Sequence, residues 1–316
     1  MGSVGRRILR LLGEMAVVAL LVVVLTSLLI RLAPGDPART ILGQKATPEQ
    51  IDALRQQLGL DAPMPSQVGS MLWGVLRGDL GSSLVDRGRS VISIVMDAVP
   101  ITLTLIALTV VISALVGIAL GLWGALTRYR AVDEGVSALA IGMLALPPFV
   151  LSLVLLLVVA VRWGVAPAGG WGDGWPQNLA YIWLPAVALS GLLMPQVLRT
   201  VRQSAGEIRG HEFVESARAR GLSASSVTLR HVLPNASLPV ITVLGLNAAA
   251  LIGGAVVVEV VFGIPGLGQV LDQAVSARDY PVIQGVALIT ALIVVLINGL
   301  TDLAYVVIDP RVRVAA

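Results

Sequence analysis

The 316-residue chain is 56% hydrophobic and only 13% charged, with a mean hydropathy of +0.88, against roughly 25% charged residues in an ordinary soluble domain. That composition is the composition of a multi-pass membrane protein. The absence of cysteine excludes disulfides, thiolate metal sites, iron–sulfur clusters and cysteine nucleophiles, and the net charge of +3 is spread over short connecting segments rather than gathered on one soluble face, so it does not point to nucleic acid.

A helix that crosses the hydrocarbon core needs about 20 mostly apolar residues, because its backbone polar groups find no water there. In chain order six stretches qualify: residues 8–31, 100–126, 136–161, 179–198, 237–261 and 282–308. Arg6, Arg7 and Arg10 precede the first as they would in a secretory leader, but no small-x-small cleavage pattern follows, and we read it as a span. Pro147 and Pro148 predict a kink in the third. The expected fold class is therefore all-α, a single membrane domain over residues 1–316 with six transmembrane helices.

Basic residues in short connections are retained on the cytoplasmic side. Placing both termini there puts thirteen arginines inside: Arg6, Arg7, Arg10, Arg128, Arg130, Arg199, Arg202, Arg209, Arg218, Arg220, Arg230, Arg311 and Arg313. The two short outer loops then hold only Arg162 and Arg278. Trp163, Trp171, Trp175, Tyr181 and Trp183 bracket the loop after the third span, as interfacial aromatics do.

Two connections are longer than joining spans requires. In the external segment, 32–99, Thr47, Pro48 and Gln50 predict a capping box that opens a helix, and Gly59 should end it. A second helix over about 68–76 sets Met71, Leu72, Val75 and Leu76 on one face, to be covered by the membrane surface, by a neighbouring span or by an external partner. The segment 199–236 reads as a cytoplasmic knuckle: a helix over 212–220, a break at Gly221, and a second short helix capped by Ser223 and stopped by Pro234.

At this knuckle the sequence resembles the EAA loop of binding-protein-dependent ABC transporter permeases, a pattern of Glu-Ala-Ala, three residues, Gly, nine residues and Ile-x-Leu-Pro. Glu215, Ser216, Ala217, Gly221, Leu233 and Pro234 stand at the matching positions, with Ser216 in place of an alanine and His231 in place of the isoleucine. The blocks RLAPGDPA, ATPEQIDALRQQLGLD, LRGDLGSSL, ARARGLS, RHVLPNASLPVIT, GGAVVVEVVFGIPGLG, ARDYPVIQG and DPRVRV extend the resemblance over nearly the whole chain, to the first permease subunit of the dipeptide, oligopeptide and nickel group. The resemblance implies an importer permease of type I fold in a prokaryotic inner membrane. It further implies a second homologous permease, two cytoplasmic ATPase subunits that carry the ATP and Mg, and an external substrate-binding protein. Within it the knuckle, with Arg218 among its polar residues, would enter a cleft on the ATPase. The solute would be a peptide or related small molecule, or alternatively nickel or a metal chelate.

No enzyme is expected. Lys45, the sole lysine, lies in no Gly-x4-Gly-Lys-Ser/Thr loop. His211 and Glu212 begin a zinc-like pattern, but position 215 is glutamate, so no metal site is read. Polar residues inside spans are costly in lipid and mark cavities or bundle interiors; Asn247, Glu259 and Asp302 are the candidates for the pathway or a gate. Gly253 and Gly254 would admit a neighbouring helix. An ion-coupled secondary transporter is the rival of a different class, but the two halves of the chain show no echo of one another such as inverted repeats leave.

Overall fold

The computed structural model describes residues 3–32, 47–57, 63–86 and 88–308. They are predominantly helical, and the only β pairing among the described residues is the isolated bridge between Ser82 and Ser90. Three helices are long and apolar enough to cross a membrane outright, with spans at Arg7–Leu29, Val91–Leu126 and Tyr280–Thr301, and up to seven crossings result if each of four bent pairs counts as one. The chain divides into two units, one built from Met1–Ile101 and Pro265–Leu300, the other from Thr102–Ile264.

In the first unit α1 (Ser3–Leu32) precedes α2 (Pro48–Gln57) and α3 (Met64–Arg77). The expected capping box opens α2: the Thr47 amide donates to Gln50 Oε1 at 3.1 Å, and the Gln50 amide donates to Thr47 Oγ1 at 3.4 Å. Gly59 lies outside the described residues. On α3, Val68, Met71, Leu72 and Val75 pack against Ala19 and Val23 of α1 and against Leu288, so the chain's own helices cover that face. Leu76 does not share it. One residue beyond Val75, it is rotated off the stripe and is 78% exposed.

A carboxylate remote in the chain helps to hold the segment after α3. Asp279 is buried; it accepts hydrogen bonds from the Ser83 hydroxyl and from the amides of Leu84 at 3.2 Å and Val85 at 3.4 Å. Helix α4 (Val91–Leu126) then begins nine residues before the expected start of the second span and carries Pro100 within it. Val91, Val95 and Ala98, at helical spacing, pack against Leu267, Ala274, Val282 and Val286.

In the second unit α5 (Arg130–Ala145) and α6 (Pro148–Leu155, prolonged as a π-helix over Leu156–Arg162) meet at 107°. The expected kink is thus a full break. A residue before proline avoids the α region, and here two in succession do so, Leu146 at ψ 123° and Pro147 at ψ 145°. The fourth stretch is also broken: α7 (Asn178–Ser190) and α8 (Met194–Arg209) are bent by 59° around residues 191–193. Then come α9 (Glu212–Ala219), α10 (Ala224–Val227, prolonged as a π-helix over Thr228–Val232), α11 (Leu233–Ala248) and α12 (Ala250–Phe262). A Cβ on Gly254 would come within 2.7 Å of Leu192, whereas one on Gly253 would meet nothing. Only the former admits a close neighbour. Helices α13 (Leu267–Ala277) and α14 (Tyr280–Ile308) complete the described chain.

Candidate coupling segment

The knuckle is a small core with a polar crest. Val214 and Ala217, three residues apart and so on one face of α9, are fully buried against Ala205 of α8 and against Val227, Val232 and Ala236, with Leu122, Ala125 and Ile208 around them. Phe213, Glu215, Ser216, Arg218, Ala219 and Arg220 are exposed. The Ala217 methyl group fills the knuckle's own interior, and its neighbours on either side form the surface.

Gly221 closes α9 in a left-handed conformation, φ +79°. Its amide donates to the Arg218 carbonyl at 2.9 Å and the Leu222 amide to that of Ala217 at 3.3 Å, which is the two-bond Schellman pattern that satisfies carbonyls at a helix end. Ser223 Oγ then accepts from the Ser226 amide at 3.3 Å and caps α10.

Pro234 does not stop the helix that follows. It stands in the first turn of α11, exposed, and the helical path runs through it from the π-turn Thr228–Val232. Proline clashes with the carbonyl of the preceding turn in a regular α-helix, and a π-turn supplies the local widening that relieves the clash. Leu233, beside it, is half-buried.

At the root of the knuckle, ahead of the apolar part of α5, Asp133 receives two hydrogen bonds from Arg202, at 2.6 and 2.7 Å. These bonds hold the Asp133 carboxyl below its ordinary range, partial burial opposing them, and raise the Arg202 guanidinium. The pair clamps α5 to α8, and 69 residues separate its partners.

Two of the three pathway candidates have hydrogen bonds among the described residues. Asn247 donates to the Val243 carbonyl of its own helix at 2.8 Å. Glu259 is fully buried, and its Oε1 accepts a 2.6 Å hydrogen bond from Thr102 of α4. Asp302 lies on α14, with its side chain outside the described residues. Thr102 and the Asp133–Arg202 clamp escape sequence reasoning, because their partners are remote in the chain and the residues stand in no recognisable spacing.

Two family descriptions match the chain: the binding-protein-dependent transport system inner membrane component over residues 117–314, and the N-terminal membrane component of the same transport systems over residues 5–106. The chain belongs to this permease family. A putative peptide transport system permease protein of Brucella abortus (strain 2308) is 37% identical over 312 residues, covering 97% of this chain and 98% of the relative. The glutathione transport system permease protein GsiC of Pectobacterium atrosepticum is 38% identical over 304 residues, covering 96% and 97%. The inward-facing MetNI methionine ABC transporter shares the fold, with a TM-score of 0.57 at 19% identity over 68% of this chain and 96% of that one. The permease is thus a multi-pass inner-membrane component of a binding-protein-dependent transport system. That membership removes the ion-coupled transporter as a rival, since the family's transport systems depend on a binding protein.

Proposed function

We propose that this permease forms half of a pathway that passes peptides or related small solutes inward, with a second homologous permease as the other half. An external binding protein delivers the solute. ATP and Mg act on two separate cytoplasmic ATPase subunits, and this chain performs no hydrolysis. Six crossings with both termini cytoplasmic bring the thirteen arginines to one side. The relatives named for peptide and glutathione transport support the solute class.

The observation that carries the coupling role is the division of α9 into a buried Val214–Ala217 face and an exposed face bearing Glu215, Ser216 and Arg218. A lever needs an outer surface for its driver and a rigid root in the helices it moves. Val227, Val232 and Ala236 lead from that small core directly into α11.

Because the chain has no cysteine, single cysteines report both surface and side. Ser216→Cys should react with a membrane-impermeant maleimide in inverted vesicles, resist it in right-side-out vesicles, and become protected when the ATPase subunits are present. Ala217→Cys should stay unreactive throughout. Labelling of Ser216→Cys from outside, or no protection by the ATPases, would overturn the assignment.

A further inference from the structure

The arginines at one end of the bent α5 to α8 region converge. A cleft of about 780 Å³ opens there, with Arg128, Arg130, Arg199 and Arg202 in its wall against two carboxylates, Asp133 and Glu207. Small-molecule sites run from about 300 to 1,000 Å³, so the cleft has room for a polar headgroup. Two of the arginines are engaged: Arg202 with Asp133, and Arg130 with Glu134 at 2.7 Å. Glu207 accepts from Gln203 at 3.2 Å. The Arg128 and Arg199 side chains are exposed and have no hydrogen bond or ion pair among the described residues.

We propose that this cleft seats the phosphate of an anionic phospholipid, bound by Arg128 and Arg199. Each of these arginines follows an apolar run, ending at Leu126 and Leu198 respectively. Trp123 is 57% exposed and Tyr129 74% exposed beside the cleft, and such rings sit at headgroup level. On α4, Leu115, Ala119 and Trp123 are exposed at four-residue spacing, one face of the helix, and the next residue in that series, Thr127, lines the cleft. An acyl chain laid along this stripe delivers its headgroup to the arginines. Basic pockets between membrane helices recognise anionic headgroups in this way. Arginines at span ends also fix topology, but that task needs no concave site and leaves no reason for two unpaired guanidinium groups to face one.

The inference rests on the membrane placement proposed above, which the Ser216→Cys labelling tests by itself. The purified complex, in detergent, is titrated with phosphatidylglycerol or phosphatidylcholine, and retained lipid is counted by native mass spectrometry. At about fivefold per arginine near an anionic surface, Arg128→Gln/Arg199→Gln should bind phosphatidylglycerol on the order of thirtyfold more weakly. Arg162→Gln, outside the cleft, should match the wild type, phosphatidylcholine should not distinguish the variants, and excess inorganic phosphate should not displace the lipid. Equal phosphatidylglycerol affinity in the double variant and the wild type overturns the proposal. So does displacement by phosphate, which would make the cleft a free-anion site. Loss of a partner subunit from the double variant with lipid retention unchanged would assign the cleft to an acidic protein surface and overturn it as well.

Discussion

Residues 64–90 and residues 210–232 both leave the long apolar helices through a short helix with a glycine at its end, Gly78 at φ +72° and Gly221 at φ +79°, yet they dispose of their apolar side chains differently. Helix α3 gives its stripe away, to α1 and Leu288, and its following loop is held by Asp279 from a remote part of the chain. Helix α9 keeps its stripe local, burying Val214 and Ala217 largely among residues within a few turns of it in sequence. A segment that spends its apolar face on the bundle becomes part of the bundle wall. A segment that closes its own core can move as a body and still present a polar surface, which is what a coupling element requires.

The sharpest break of this comparison is Asp279→Ala. It removes the acceptor shared by Ser83, Leu84 and Val85; the Val85 amide keeps Ser83 Oγ at 3.2 Å, while leaving the Ser83 hydroxyl and the Leu84 amide unpaired costs about 1–3 kcal/mol each. Hydrogen exchange should rise at residues 83–86 and stay unchanged at 212–222. Equal protection in the variant would mean that Asp279 does not anchor the loop. Because this loop is built into its unit, a deletion of residues 66–90 should lower stability as well as any docking of the binding protein.

Within the knuckle, Ala217→Leu tests the local core. Three added carbons with nowhere to go cost about 1–3 kcal/mol by overpacking, whereas Ser216→Leu, one position along and exposed, should stay within about 0.5 kcal/mol. Limited trypsin digestion at Arg218 and Arg220 reads the difference. Similar cleavage rates in the two variants would contradict the buried placement of Ala217.

Gly221→Val probes the turn. No atom lies within 4 Å of a Cβ built there, so the cost is conformational, about 1–2 kcal/mol for a left-handed residue with a Cβ and more for a β-branched one. We expect inserted, folded protein whose ATPase activity no longer responds to loaded binding protein, with uptake lost, and near-normal behaviour from Gly221→Asn, since asparagine tolerates this region. Stimulated activity and uptake near wild type in Gly221→Val would mean that the turn does not position Glu215 to Ala219.

The smallest effect concerns the clamp at the root. The hydrogen bonds from Arg202 lower the Asp133 carboxyl, so their stabilisation is fully present above the unfolded value, about 3.9, and disappears as pH falls through the lower folded one. Both side chains are about a third exposed, which limits the pair to about 1 kcal/mol or less. Melting temperature between pH 5 and pH 3 should fall slightly more in the wild type than in Asp133→Asn. A parallel decline would show that the pair adds nothing.

Composition and apolar run length determined the helical membrane class, because a bilayer leaves the backbone few alternatives, and the motif spacing from Glu215 to Gly221 located the knuckle. Local chemistry also determined the Thr47–Gln50 box, the Ser223 cap and the left-handed Gly221, each of which depends on neighbours within a few residues. Tertiary structure alone decided where the remaining apolar surface goes. Sequence placed Leu76 in a packed stripe and the fold exposes it, whereas Ala217 is buried beside exposed Ser216, because a rotation of one residue about a helix axis changes what the side chain meets. It likewise turned an expected kink at Pro147 and Pro148 into a 107° break and carried the helical path through Pro234 by way of a π-turn. The pairs Thr102–Glu259, Ser83–Asp279 and Asp133–Arg202 exist only once distant stretches are packed, and no spacing in the chain encodes a contact made across so many residues.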